Sequence, residues 1–308
     1  MVNKRAIPQK RVQVLINIYN QGKFREVVRQ AKILIRQFPR EAMLYNILGA
    51  ANARLRDFES AIENYVHAIK LQPDAPEGYY NLGNALRDKG DTTLAIENYN
   101  KAININPAYT VAYNNLGSVL KDSGNIDAAI ESYSKAIQID PNYAAAYNNR
   151  GIALQDKNDL GGARTDYTKA IFINPDYAEA HTNLGVVFNK EGNPDAAIES
   201  CLKALKLQPT NSEIYNNLGM ALRNKGQIEQ ALECYSKALE LNPRSTETHS
   251  NIGTLLREQG EIDGAIASCE RAIEINPNYL DGHINLGNSY QERGNIDAAI
   301  KCYMKASE

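Results

Sequence analysis

Few side chains in this chain have chemistry to offer. Four histidines and four cysteines stand among 308 residues, and two of each fall in register, His181 with Cys201 and His249 with Cys269. A cysteine beside an imidazole is the arrangement of a thiolate nucleophile and its base. Such a dyad would have to exist twice here, at positions that elsewhere hold Tyr113 and Tyr133, so both partners read as packing residues. Cys234 and Cys302 complete the set, and no CxxC pair, zinc-ligand spacing or phosphate-binding glycine loop occurs. No catalytic residue, metal or cofactor is expected, and the chain does not read as an enzyme. The other candidate is a column of amides. Asn81, Asn115, Asn149, Asn183, Asn217, Asn251 and Asn285 recur every 34 residues, and only Ile47 breaks the series. Asparagine is a mediocre helix former, and a solvated helix position holds Glu, Lys or Ala at lower cost. An amide carries donors and an acceptor together, which is what an extended peptide backbone requires.

The elements that must hold this column follow from the same interval. Gly49, Gly83, Gly117, Gly151, Gly185, Gly219, Gly253 and Gly287 keep a period of 34 without insertion or deletion, and Pro39 to Pro277 keep it ten residues earlier. Fixed self-similarity at this length marks a solenoid of stacked units, so length counts repeats rather than cores. Tyr113, Leu116, Gly117 and Leu120 recur at i, i+3, i+4 and i+7, the apolar stripe of one helix. Gly124 breaks it. Asn125 is placed to cap a second helix, as are Asp57, Asp91, Asp159, Asn193 and Asn295 in other repeats. The second helix buries Ala129, Tyr133, Ala136 and Ile137 and closes before Pro141, whose ring disfavours helical geometry at Asp140. Each mid-helix glycine costs about 1 kcal/mol against alanine. Ala61, Ala95, Ala129, Ala163, Ala197, Ala231, Ala265 and Ala299 are expected opposite them, two side-chain-poor surfaces that let helices approach.

The pattern of Tyr113, Leu116, Gly117, Ala129, Tyr133, Ala136 and Pro141 resembles the tetratricopeptide repeat, over residues 42–308 and more loosely from residue 8. The tryptophan typical of that family is absent. Tyr45, Tyr79, Tyr113, Tyr147 and Tyr215, or His181, His249 and His283, stand in its place. The resemblance implies an all-α fold, a right-handed α-α superhelix of helical hairpins whose first helices line a concave groove. Residues 1–41 are expected to form a degenerate N-terminal capping repeat with a basic face. Seven full repeats span 42–279 and an incomplete eighth spans 280–308. The asparagine column is similar to the ladder in the superhelical repeats of O-linked N-acetylglucosamine transferases, where such amides hold a peptide along the groove. At about 1 kcal/mol per amide, set against about 1–2 kcal/mol per ordered ligand residue, the ladder alone binds weakly. Selectivity is expected from Arg87, Lys121, Arg223 and Arg257 at repeat position 12, and Glu77, Glu179, Glu213 and Glu247 at position 2. The chaperone-binding members carry lysine at position 2. This chain does not, so chaperone C-termini are disfavoured partners.

The expected function is therefore a protein-interaction module that holds an extended segment of a partner, and such an array can be the substrate-selecting part of a larger enzyme. The alternative is a scaffold that assembles through its ends or convex face. A formal net charge of -2 gives no global attraction to nucleic acid, and no stretch approaches membrane-spanning length. The balance hides an asymmetry: residues 1–40 hold ten Lys and Arg against the single acid Glu26. That face reads as a solvated cap or as a docking patch for an acidic partner or a membrane surface. Cysteines without a disulfide pattern and the lack of a secretory signal suggest the cytoplasm. The second helix of the eighth repeat leaves Ile296, Ile300 and Met304 without a cap, which points to a piece of a longer protein or to end-to-end self-association.

Overall fold

The computed structural model describes residues 7–307, and those residues form eighteen α-helices and no strand. Lys4, Arg5 and Glu308, which enter the charge and end arguments above, lie outside the described residues. The chain falls into two compact units that meet in sequence between Lys157 and Asn158. In the first unit, α1 (Gln9–Asn20) pairs with α2 (Phe24–Gln37), α3 (Ala42–Arg54) with α4 (Phe58–Leu71), α5 (Pro76–Lys89) with α6 (Thr92–Ile105), and α7 (Thr110–Asp122) with α8 (Ile126–Ile139). Then α9 (Ala144–Asp156) stacks on α7 and α8. The second unit begins with α10 (Leu160–Ile173), which packs on α11 (Ala178–Lys190). Hairpins follow: α11 with α12 (Pro194–Leu207), α13 (Ser212–Asn224) with α14 (Ile228–Leu241), α15 (Thr246–Glu258) with α16 (Ile262–Ile275), and α17 (Leu280–Glu292) with α18 (Ile296–Ser307). Within each unit, first helices stack on first helices, and each second helix packs against the first helix of the next hairpin.

The sequence signals account for the boundaries. Gly124 takes a left-handed φ of 81° at the turn between α7 and α8, a conformation that costs a side-chain-bearing residue and leaves glycine unstrained. Two turns adopt it without glycine, at Arg56 (φ 63°) and Asn158 (φ 61°). Of the six expected caps, Asp57, Asp159, Asn193 and Asn295 accept a backbone N–H from the residue three further on. Asp91 and Asn125 hold the cap position without a side-chain bond.

The mid-helix glycines find their reason in a tyrosine. A methyl group added to Gly117 would lie 2.7 Å from Cε1 of Tyr133, closer than carbon atoms approach. Ala129 is buried where expected, but the ring of Tyr133 is what occupies the space a side chain at residue 117 would need. In the repeat that carries cysteine instead, Cys201 Sγ lies 2.9 Å from the same hypothetical atom on Gly185. The aromatic slot on the first helices is equally specific. Tyr45 and Tyr215 donate from their hydroxyls to the carbonyl oxygens of Pro39 and Pro209, at 3.1 and 3.3 Å. Nε2 of His181, His249 and His283 meets the carbonyl oxygens of Pro175, Pro243 and Pro277 at 2.9, 3.2 and 2.8 Å. Histidine thus replaces tyrosine as the group that ties each first helix to the proline turn before it.

The two arginines of the fourth full repeat each find polar company. Arg150 donates to Ser134 Oγ at 3.0 Å with its guanidinium 5.8 Å from the Tyr147 ring centre. Arg164 pairs with Glu191 at 3.0 Å. Asp159, close to Arg164 in sequence, accepts instead from Gly162 N as the cap of α10.

Candidate functional site

The asparagine column runs along the first helices, and most of its amides are tied to the preceding repeat. Asn149 Nδ2 donates to Asn114 Oδ1 at 3.0 Å, Asn251 Nδ2 to Asn216 Oδ1 at 2.9 Å, and Asn285 Nδ2 to Ser250 Oγ at 2.9 Å. Each bond spans 35 residues, from position 6 of one repeat to position 5 of the repeat before. Asn115 Nδ2 reaches the same neighbour by another pair of acceptors, Tyr80 Oη at 3.1 Å and Asn84 Oδ1 at 2.9 Å. Asn84 Oδ1 also accepts from Tyr99 Oη, so a buried tyrosine, a first-helix amide and the next rung form one network. These bonds take up a donor of each amide and fix its orientation; Asn115 Oδ1 accepts from Asn114 Nδ2 at 3.4 Å, and an amide oxygen has room for a second bond.

Asn183 is half-buried on α11, as Asn115 and Asn149 are on their helices. Two members differ. Asn217 is 3% exposed, and its Nδ2 is enclosed without an acceptor; the residue one rung earlier is Thr182, whose hydroxyl donates to Ala178 O. Its backbone oxygen accepts from Asn189 Nδ2 at 3.2 Å. Asn81 lines a cavity of 270 Å³ with Ile16, Tyr19, Asn46, Ile47 and Ala50. The Oδ1 of Asn46, which would complete a rung to Asn81, is enclosed and accepts nothing. This rung is open.

The four cations expected to select a ligand all carry a carboxylate partner. Arg87 donates twice to Asp88 Oδ1, at 3.0 and 2.8 Å, and Lys121 meets Asp122 at 3.3 Å. Arg223 reaches Glu258 of the next repeat at 3.8 Å, and Arg257 pairs with Glu292 in the same way. At the other end of the first helices in the second unit, Glu179, Glu213, Glu247 and Asp281 are exposed at position 2. Glu247 accepts from Asn216 Nδ2 at 3.1 Å. Desolvation holds its carboxyl above the usual range, and the neighbouring charges of Glu213 and Asp281 push the same way.

Neither Cys–His pair is poised for catalysis. Burial pushes the thiols of Cys201 and Cys269 up to about 12, so neither is a thiolate at neutral pH. The histidines face proline carbonyls, as above. Among the described residues no group of three or more His, Cys, Asp or Glu could hold a metal ion, and no helix is long and apolar enough to cross a membrane.

Comparison with known proteins agrees with the helical-hairpin fold. Residues 49–283 match the family described as the Cilia and flagella-associated protein 70 C-terminal domain, and residues 19–66 and 268–301 each match a tetratricopeptide repeat model. A probable UDP-N-acetylglucosamine–peptide N-acetylglucosaminyltransferase SEC of Arabidopsis thaliana is 29% identical over 82 residues, 27% of this chain and 8% of the plant protein. The crystal structure of MamA protein aligns with a TM-score of 0.51 at 31% identity, over 56% of this chain and 94% of that one. The Cut9–Hcn1 hetero-tetramer of the APC/C aligns at 0.67 and 16% identity, over 86% of this chain and 52% of that one, a likeness of fold alone.

Proposed function

Because the chain belongs to the family of the Cilia and flagella-associated protein 70 C-terminal domain, an array of tetratricopeptide repeats, we propose that it binds an extended segment of a partner protein along its first-helix face. The observation that carries this reading is the asparagine column with its donors fixed to the preceding repeat. A pre-oriented amide loses little freedom when a ligand N–H arrives, so the rungs offer acceptors at low entropic cost. Paired cations and exposed carboxylates flanking the column would set the ligand's register. The match to 8% of a plant glycosyltransferase favours no transfer of its activity, and service to a catalytic domain elsewhere in a longer protein belongs to this proposal. A cytoplasmic location fits the same reading, and the family's namesake is associated with cilia and flagella. To test it, Asn115, Asn149, Asn183 and Asn217 are replaced by alanine and the protein is used as bait in native extract, with circular dichroism as the check on folding. Unchanged partner recovery by a folded variant would falsify the reading.

A second reading rests on α18. Ile296, Ile300 and Met304 are 54, 50 and 61% exposed, whereas Ile266, in the register of Ile300, is 6% exposed beside Leu286 of the next hairpin. This stripe would seat another copy end to end. Light scattering at high concentration that shows a strict monomer would remove it.

A further inference from the structure

The basic residues near the N-terminus converge on two aromatic rings at the turn edge of the first two hairpins. Phe24 opens α2 and borders two adjoining hollows. One, of 460 Å³, is lined by Phe24, Ala53, Arg54, Arg56, Phe58 and Asp88. The other, of 750 Å³, adds Lys23, Arg25, Glu26 and Arg29. Arg54 lies over the Phe24 ring with its guanidinium carbon 5.5 Å from the centroid, and Arg56 lies over Phe58 at 6.0 Å. Both arginines are exposed. The nearby carboxylates are already engaged. Asp88 accepts from Arg87, Glu26 from Arg29 and Gln30, and Asp57 caps Ser60 N. Lys89 takes up Glu59 at 3.4 Å. Arg56 holds its place with a φ of 63°, where the corresponding turns use Gly90 and Gly124. A side chain kept at a backbone conformation that favours glycine points to a use for that side chain.

We propose that this edge is a docking site for an acidic peptide segment, distinct from the first-helix face, with Arg54 and Arg56 as the carboxylate-binding pair. Each guanidinium carbon lies within 6.0 Å of a phenylalanine centroid, inside the range of cation–π attraction, and a guanidinium so placed keeps a fork of donors suited to bidentate contact with a carboxylate. The floor of Phe24 and Phe58 suits an apolar residue placed among the acidic ones. A nucleic acid or an anionic membrane is disfavoured, because residues beyond the first forty carry more acid than base and would repel an extended polyanion.

The probe is a fluorescein-labelled hexaglutamate peptide, followed by anisotropy with the whole chain at about 0.1 M ionic strength, where the screening length is about 10 Å. R54Q/R56Q is expected to weaken binding about tenfold or more, the scale of losing charge-assisted hydrogen bonds. R54K/R56K keeps the charge and loses the fork, and should fall between the two. K32Q/R36Q removes the same charge from exposed residues of α2 outside the hollows and should weaken binding by about twofold or less. Equal weakening by R54Q/R56Q and K32Q/R36Q would overturn the site, as would no binding by the parent protein. Sedimentation of the parent, but not of R54Q/R56Q, with phosphatidylserine vesicles would overturn it in favour of a membrane.

Discussion

The rung between Asn251 and Asn216 and the vacant one between Asn81 and Asn46 use the same two repeat positions and the same residue type, yet one is closed at 2.9 Å and the other leaves an enclosed oxygen without a donor. The flanking residues account for the difference. At the closed rung, Asn216 is also held by Glu247 and buried, so its oxygen has one direction to face. At the open rung, Ile47 stands where the column has asparagine, and with Ile16 and Tyr19 it lines an apolar cavity instead of a ladder step. An amide column is therefore partly an internal brace.

The largest effect should come from breaking the stack on which every rung depends. Gly117→Leu drives a side chain into Tyr133 and is expected to cost more than about 4 kcal/mol, read as collapse of amide exchange protection in α7 and α8. Next, Asn251→Ala leaves Asn216 Oδ1 buried and unpaired, a loss of about 1–3 kcal/mol by urea denaturation. Asn46→Leu acts in the opposite direction. It removes an acceptor that has no donor, and should leave stability unchanged or raise it by up to about 1 kcal/mol. Were Asn46→Leu as costly as Asn251→Ala, the distinction between open and closed rungs would fail. Smallest is Glu247→Gln. A carboxyl held above its unfolded value destabilises the fold increasingly as pH rises past that value, and the penalty is relieved when the group takes a proton. The glutamine variant should gain about 0.5 kcal/mol or less near neutral pH, since the side chain remains solvent-exposed, and should lose that advantage in acid.

The period, the hairpins and the placement of every first helix were legible from glycine and proline alone, because those residues act on their own backbone. The asparagines were legible only as a column. That Asn149 and Asn285 bond to position 5 of the preceding repeat depends on a partner 35 residues away, and position 5 varies among Tyr80, Asn114, Asn216 and Ser250. The contact that excludes side chains at the glycines had a signal in the sequence, the recurrence of tyrosine eight residues before Pro73, Pro107, Pro141, Pro175 and Pro243, but alanine drew attention first. Arg54 and Arg56 belonged to no column. Only the packing of Phe24 and Phe58 beneath them sets them apart from other surface cations.

The buried thiols serve one more purpose. Cys201 and Cys269 lie sealed in two hairpins where a thiol stands in place of the ring found at Tyr133, and neither reacts without exposure. Alkylation of each by a thiol reagent must wait until its own hairpin opens, so mass-resolved labelling would clock the breathing of two individual repeats inside the intact array, with no engineered probe.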